Sequence, residues 1–324
     1  MKKIQLLDCT LRDGGYINNW EFGFDNIKEI IFNLSSANFD FLECGFLKPD
    51  TYNKNKTIFS NLNQLLKLLP NKNFKTKYAL MINYGEVDIN NINENDSNIF
   101  LRVAFKKYQL KDALVFIQQL KEKNYNIFIN PMHTDIYSKD ELLFLLDSVN
   151  EIKPFAFSIV DTIGAMDKEY ILKLYNVINS NLSNNISLCF HSHNNLGLSY
   201  SNTLELIKRN NSRNLVIDCS LMGMGRCAGN LAAEKIVSIF NLYDKKIINK
   251  TIDKYIKPIY NTVSRRYKEA YLLSAKHKLH PNYAKYLIDR NFSINKIEKT
   301  FNLIPEDKKD DFDINIIEKI SSLK

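Results

Sequence analysis

Two stretches of the chain combine residue types that could do chemistry. Residues 8–15 read Asp-Cys-Thr-Leu-Arg-Asp-Gly-Gly and follow the apolar run Ile4-Gln5-Leu6-Leu7. Side chains alternate along an extended segment, so Asp8, Thr10 and Arg12 are expected on one face, with Asp13 re-aimed where the chain turns at Gly14-Gly15. Two carboxylates flanking a guanidinium are costly to bury without partners. They are either a surface ion-pair cluster that closes the first turn or part of a site. The second stretch, residues 190–197, reads Phe-His-Ser-His-Asn-Asn-Leu-Gly. His191 and His193 stand two apart, so a strand aims both imidazoles the same way. One such histidine is ordinarily a hydrogen-bonded core residue. Two of them beside a pair of asparagines favour a site for a divalent first-row metal, for which imidazole and carboxylate are suitable ligands.

The elements that must position these residues repeat as strand, loop, helix. Apolar runs predict strands at residues 4–7, 39–46, 77–82, 99–105, 127–130, 155–161, 186–193 and 215–220. Helical spacing predicts helices over 25–37, opened by Asp25, and over 58–69, ending at Pro70. Further helices fall over 109–123, 140–149, 168–178, around 204–208 and over 231–240. Eight such units predict an α/β protein, a (β/α)8 TIM barrel of about 240 residues. No G-x-G-x-x-G follows the first strand, which speaks against paired dinucleotide-binding folds. The notable polar residues fall at the C-terminal ends of strands, where barrel sites lie.

After Asp244 the pattern turns all-helical, with helices expected over 252–267, 268–278, 282–290 and 314–320. The division expected is a barrel domain over 1–243 and a C-terminal helical extension over 244–324. The tail reads either as a module packed on the barrel or as a homo-oligomer interface. Only His280 and Tyr283 in it look like candidate reactive groups for acid/base work.

At 324 residues and 45% apolar, the chain can bury a large core. No run is apolar enough to span a bilayer and no secretory leader is evident, so neither a membrane nor a signal sequence is expected. The five cysteines include no C-x-x-C pair and read as small reduced core residues, which favours the cytoplasm. The net charge of +8 is spread among Asn and Ile rather than gathered on one face. No nucleic-acid motif accompanies it, and no nucleic-acid partner is expected.

Taken together, D-C-T-L-R-D-G-G at the first strand, H-S-H-N-N-L-G-L at the seventh and G-R-C-A-G-N after the eighth resemble the HMG-CoA lyase-like family, the DRE-TIM metallolyases. That family includes 4-hydroxy-2-oxovalerate aldolases, HMG-CoA lyase, and isopropylmalate and homocitrate synthases. The longer string T-L-R-D-G-G-Y-I-N-N-W-E-F is most similar to the aldolase-like branch. The resemblance implies that Asp13, His191 and His193 bind Mn²⁺ or Mg²⁺, with Asn230 as a further ligand. It also implies that Arg12 stabilises an enolate oxygen. The activity implied is that of a metal-dependent aldolase acting on a 2-oxo acid and an aldehyde. The alternatives are a transferase condensing an acyl-CoA with a 2-oxo acid, and a barrel subunit without catalysis.

One position departs from the family. The aldolases carry an acid/base histidine three residues after the metal-binding aspartate, and here that residue is Tyr16. A phenol has an unperturbed pKa of about 10 and needs strong help to act as a base. Tyr16 could donate a proton, with His280, His133 or a metal-bound water as the abstracting group. Glu43 and Arg102 are candidates either for substrate binding or for mutual ion pairing, and Thr162 for lining the mouth. Asp8 is expected to orient Arg12 or the metal shell.

Overall fold

The computed structural model describes residues 3–49, 52–95, 97–210, 213–260 and 265–322. Its strands are β1 (Ile4–Asp8), β2 (Phe41–Leu47), β3 (Ile58–Phe59), β4 (Lys77–Asn83), β5 (Phe100–Phe105), β6 (Asn126–Pro131), β7 (Ala156–Asp161), β8 (Ser187–Ser192) and β9 (Leu215–Cys219). All pair in parallel, in the order β1-β9-β8-β7-β6-β5-β4-β2. Pairing of Leu7 with Phe41 and Asp8 with Leu42 closes the ring. β3 is an extra short strand on β2. The architecture is the TIM barrel predicted from the sequence.

Strand alternation explains how the barrel fills. One inward residue from each barrel strand joins a single apolar layer: Leu7, Phe41, Ala79, Phe100, Phe128, Ala156, Cys189 and Val216. The residues two positions further along must also face inward. There the layer turns polar, with Glu43, Arg102, Asn130, Ser158, His191 and Asp218, all buried. Outward residues pack against the surrounding helices in the largest apolar cluster.

Those helices are α1 (Phe24–Ser36), α2 (Leu62–Leu66), α3 (Leu110–Glu122), α4 (Lys139–Ile152), α5 (Lys168–Asn181), α6 (Ser199–Arg209) and α7 (Ala233–Ile236). Asp25 lies in the first turn of α1 rather than at its cap, which is Gly23 at φ 86°. The helix expected over 58–69 is split. Ile58 and Phe59 hydrogen-bond to β2, and only Leu62–Leu66 is helical, opened by the Asn61 side chain accepting from Gln64 N–H. This strand needs Gly45, because a Cβ there would lie 2.0 Å from the Thr57 carbonyl oxygen. The helix expected over 231–240 is four residues of α7 followed by a 3₁₀ turn.

The first helix of the tail begins earlier than expected, at α8 (Lys245–Thr251), where Asp244 accepts from Lys246 and Ile247 N–H. A π turn at Ile252–Ile256 leads into α9 (Lys257–Tyr260), and the rest of the helix expected over 252–267 reaches into 261–264, outside the described residues. Ile248, Ile252, Tyr255 and Ile256 join the barrel's outer core. The chain continues as α10 (Arg265–Lys276), α11 (Asn282–Asp289), α12 (Ile294–Phe301) and α13 (Ile314–Ser322). The helix α12 was not expected from the sequence; Ser293 caps it, and it buries Ile297 and Phe301. From Ala270 to Ile320 these helices share a second apolar cluster, against which Cys227 and Ala228 of the loop after β9 pack. Among the described residues no helix is long and apolar enough to cross a membrane.

Candidate metal centre

The turn after β1 is tight. Arg12, Asp13 and Gly14 N–H all point at the Cys9 carbonyl, which re-aims the side chains that follow the strand. The common face expected for Asp8, Thr10 and Arg12 is therefore absent. Leu7 and Cys9 face inward, so Asp8 has the opposite parity, and its carboxylate accepts from Thr10 N–H and Oγ1 rather than orienting Arg12. Arg12 and Asp13 instead swing over the barrel axis. The Arg12 guanidinium donates to Asp13 Oδ1 at 2.6 Å and to Glu43 Oε2 at 2.7 Å.

Opposite this turn, β8 carries His191, and His193 lies one residue beyond its end, bridged to Asn230. Asp13, His191 and His193, all buried, each offer a ligand atom, and these atoms lie within 4.8 Å of one another. His191 Nδ1 is 2.8 Å from Asp218 Oδ2, and His193 Nδ1 is 3.1 Å from the Asp161 carbonyl. Both partners are acceptors, so Nδ1 carries the proton and Nε2 keeps its lone pair on each ring. His193 Nε2 is buried without a hydrogen-bond partner, 3.5 Å from Asp13 Oδ2. Asn230 donates to Asp13 Oδ2 at 2.7 Å, while its own Oδ1 is buried and partnerless. Orphaned buried acceptors are expensive. A carboxylate, two neutral imidazoles and an amide oxygen turned on one point fit a divalent cation.

Electrostatics favour the ligating forms. Burial opposes ionisation of Asp13, but Arg12 and the two histidines hold its carboxyl well below the usual range. Burial also opposes ionisation of Asp218, yet Arg102 and the His191 bond hold it down at about 2. Burial keeps His191 below an ordinary histidine, the Asp218 bond only partly offsetting it. Arg102, 0% exposed, spans Glu43 and Asp218. Glu43 and Arg102 are thus enclosed beneath the centre. They pair with Arg12 and Asp218, as one of their two sequence readings expects.

The mouth is lined by other expected residues. Thr162 Oγ1 accepts from His133 N–H at 2.8 Å, so Thr162 positions His133. His133 faces His280 of the tail, with ring centroids 6.2 Å apart. Burial and nearby Arg226 push His133 down to about 4 and His280 well below an ordinary histidine. The shift favours the neutral form of both rings, and the two nitrogens of His280 face Arg226 Nη2 and Asn282 N–H. Tyr16 stands at the rim, edge-on to Trp20 at 4.8 Å, with the Arg226 guanidinium 5.7 Å over its ring. Burial raises its phenol above 10, which suits a donor rather than a base. Tyr283 lies in the tail core, its hydroxyl donating to the Lys308 and Asp311 carbonyls.

Three residues here were not singled out from the sequence. Asp218 was legible in principle, being two positions after inward Val216. Asn195 pins Ile163 O and Ala228 N–H, and so holds the loop after β9 to the loop after β7. Arg226 lies inside the G-R-C-A-G-N motif, of which only Asn230 had been given a role.

Comparison with known proteins agrees with this geometry. The HMGL-like family profile matches residues 3–261. The chain is 22% identical over 241 residues to oxaloacetate decarboxylase of Mycobacterium tuberculosis, covering 72% of this chain and 68% of that one. It is 24% identical to 4-hydroxy-2-oxovalerate aldolase of Pseudoalteromonas translucida (78% and 73% covered) and 24% identical to 2-isopropylmalate synthase 1 of Caldanaerobacter subterraneus (74% and 62% covered). In fold it is similar to the N-terminal domain of a candidate aldolase from Bacteroides vulgatus, with TM-score 0.74, 24% identity, and coverage of 91% of this chain and 99% of that one. HMG-CoA lyase of Bacillus subtilis has the same fold, with TM-score 0.62, 16% identity, and coverage of 80% and 95%. A profile match spanning the whole barrel, with its motifs gathered at the barrel mouth, means that the chain belongs to the HMGL-like, or DRE-TIM, family.

Proposed function

We propose that the protein is a divalent-metal-dependent aldolase. It makes or cleaves the C3–C4 bond of a 4-hydroxy-2-oxo acid, one carbon out from the keto group, through a pyruvate-type enolate. The observation that carries this reading is the convergence of Asp13, His191 and His193, with a partnerless His193 Nε2, beside the Arg12 guanidinium. Mn²⁺ or Mg²⁺ held by these residues and Asn230 Oδ1 would polarise the ketone oxygen as a Lewis acid.

The chain's own groups supply the rest. Arg12, fixed by Asp13 and Glu43, presents a preorganised positive charge where the enolate oxygen develops. In cleavage, His280 of the His280–His133 pair takes the proton of the C4 hydroxyl. The C3–C4 bond then breaks, the aldehyde departs, and C3 accepts a proton to become the methyl group of pyruvate. Tyr16 donates a hydrogen bond to the substrate hydroxyl. Synthesis runs these steps in reverse.

Similarity to an isopropylmalate synthase favours a second reading, condensation of an acyl-CoA with a 2-oxo acid. Exchange of the pyruvate methyl protons in D₂O, followed by NMR with Mn²⁺, separates the two. Exchange without acyl-CoA is expected, and Asp13→Asn and His193→Ala should abolish both exchange and metal binding while circular dichroism is retained. Exchange only with acyl-CoA supports the transferase. No exchange by fully metal-loaded protein overturns the proposal.

A further inference from the structure

A cavity of about 710 Å³ lies where the tail meets the barrel mouth. That far exceeds the needs of pyruvate and a two-carbon aldehyde, and is in the range of sites for much larger ligands. It adjoins the metal centre across the loop after β9. Gly225 forms part of its wall, and a Cβ at Gly225 would lie 2.7 Å from Asp13 Oδ2 and 2.5 Å from Asn230 Nδ2. Tyr16 lines it on the barrel side, and Tyr286 and Phe312 on the tail side.

The charge of the wall is uneven. Arg226, Lys285 and Arg290 face one carboxylate, Asp289, which pairs with Lys285. Arg226 is half-buried, and among the described residues no carboxylate lies within ion-pair distance of it. Its guanidinium donates to the Asn282 amide oxygen at 2.7 Å, reaches His280 Nε2 at 3.4 Å and stacks over Tyr16. A half-buried guanidinium held only by neutral groups is costly, whereas Arg12 and Arg102 deeper in the barrel each pair with two carboxylates, Glu43 being common to both. Arg290 lies over the Tyr286 ring, also without a carboxylate among the described residues. An anion entering the cavity would complete both.

We propose that this cavity binds the far end of the aldehyde substrate, and that this end carries a phosphate ester. The inference rests on the aldolase reading for the identity of the substrate. Its physical basis, a cationic cavity walled by Gly225 and Arg226 of the loop that packs on the metal centre, is independent of that reading. Guanidinium groups recognise phosphate oxygens in a planar, paired fashion, and the aromatic walls suit a carbon chain or ring between the two ends. The tail would then select the substrate while the barrel carries out the chemistry.

Two measurements test this on the full chain loaded with Mn²⁺. Calorimetric binding of glycerol 3-phosphate, a non-reacting probe, is expected, and should weaken at least tenfold in Arg226→Gln and in Arg290→Gln. With pyruvate, glyceraldehyde 3-phosphate should be used at least tenfold more efficiently than glyceraldehyde, mainly through KM. That ratio should fall toward one in each variant and in high salt. Arg290 is exposed at the rim, so its variant serves if Arg226→Gln misfolds. If pyruvate exchanges deuterium but the two aldehydes react equally and glycerol 3-phosphate does not bind, this proposal falls while the aldolase reading stands. A preference for a carboxylate-bearing aldehyde such as succinic semialdehyde, with no gain from phosphate, also overturns it. Binding of glycerol 3-phosphate without any pyruvate exchange supports the anion site and sinks the aldolase reading instead.

Discussion

An imidazole ligates through one nitrogen only when the other is held as a donor. Asp218 therefore matters to the metal centre without facing it, because its hydrogen bond fixes the tautomer of His191. Asp218→Asn is expected to weaken Mn²⁺ binding by about 10- to 100-fold in a calorimetric titration. It should also lower stability, since Arg102 would keep only Glu43 as a carboxylate partner. His133 makes a different prediction. Its folded pKa of about 4 lies below the ordinary value of 6.5, so the fold disfavours its protonation. The corresponding stability is present above pH 6.5 and is lost as pH falls toward 4. In metal-free protein, the drop in Tm between pH 7.5 and 5 should be smaller for His133→Gln than for wild type. Equal drops would refute burial of a neutral ring.

At the scale of elements, loops rather than strands decide the site. The loop after β9 is drawn against the turn after β1 closely enough that only glycine fits at 225. Gly225→Ala should force Asp13 and Asn230 apart and reduce Mn²⁺ affinity at least tenfold. The overpacking should cost about 1–3 kcal/mol of stability, measurable by denaturant titration. Retained metal affinity would mean that the loop has room to move. The same loop sends Cys227 and Ala228 into the tail core, so one segment links the metal centre to the helices that cover it.

For the whole molecule, a ligand that binds only the folded chain stabilises it by mass action. Free Mn²⁺ at about 100 times its Kd should add about 2.7 kcal/mol and raise Tm by several degrees. EDTA should reverse the shift, and Asp13→Asn should show none. A wild-type Tm indifferent to Mn²⁺ would remove the metal from the account. The tail belongs to this scale as well, because His280 reaches the mouth only through docking of α10 and α11 on the loop after β9.

Hydrophobic periodicity by itself determined the eight strands and hence the barrel, because alternation is local and survives any packing. It also placed His191 and His193 on one face, since three consecutive extended residues are enough to do so. Asp8 escaped this logic: β1 ends there, and a turn folded on the Cys9 carbonyl replaces alternation with its own geometry. β3 escaped it because Ile58 and Phe59 are two residues, too few to show alternation. Only tertiary structure decided that Glu43 pairs with both Arg12 and Arg102, that Asp218 holds His191, and that Arg226, at the edge of a large cavity, has no carboxylate partner among the described residues. Such roles depend on distances between residues far apart in the chain, which residue spacing along the sequence does not encode.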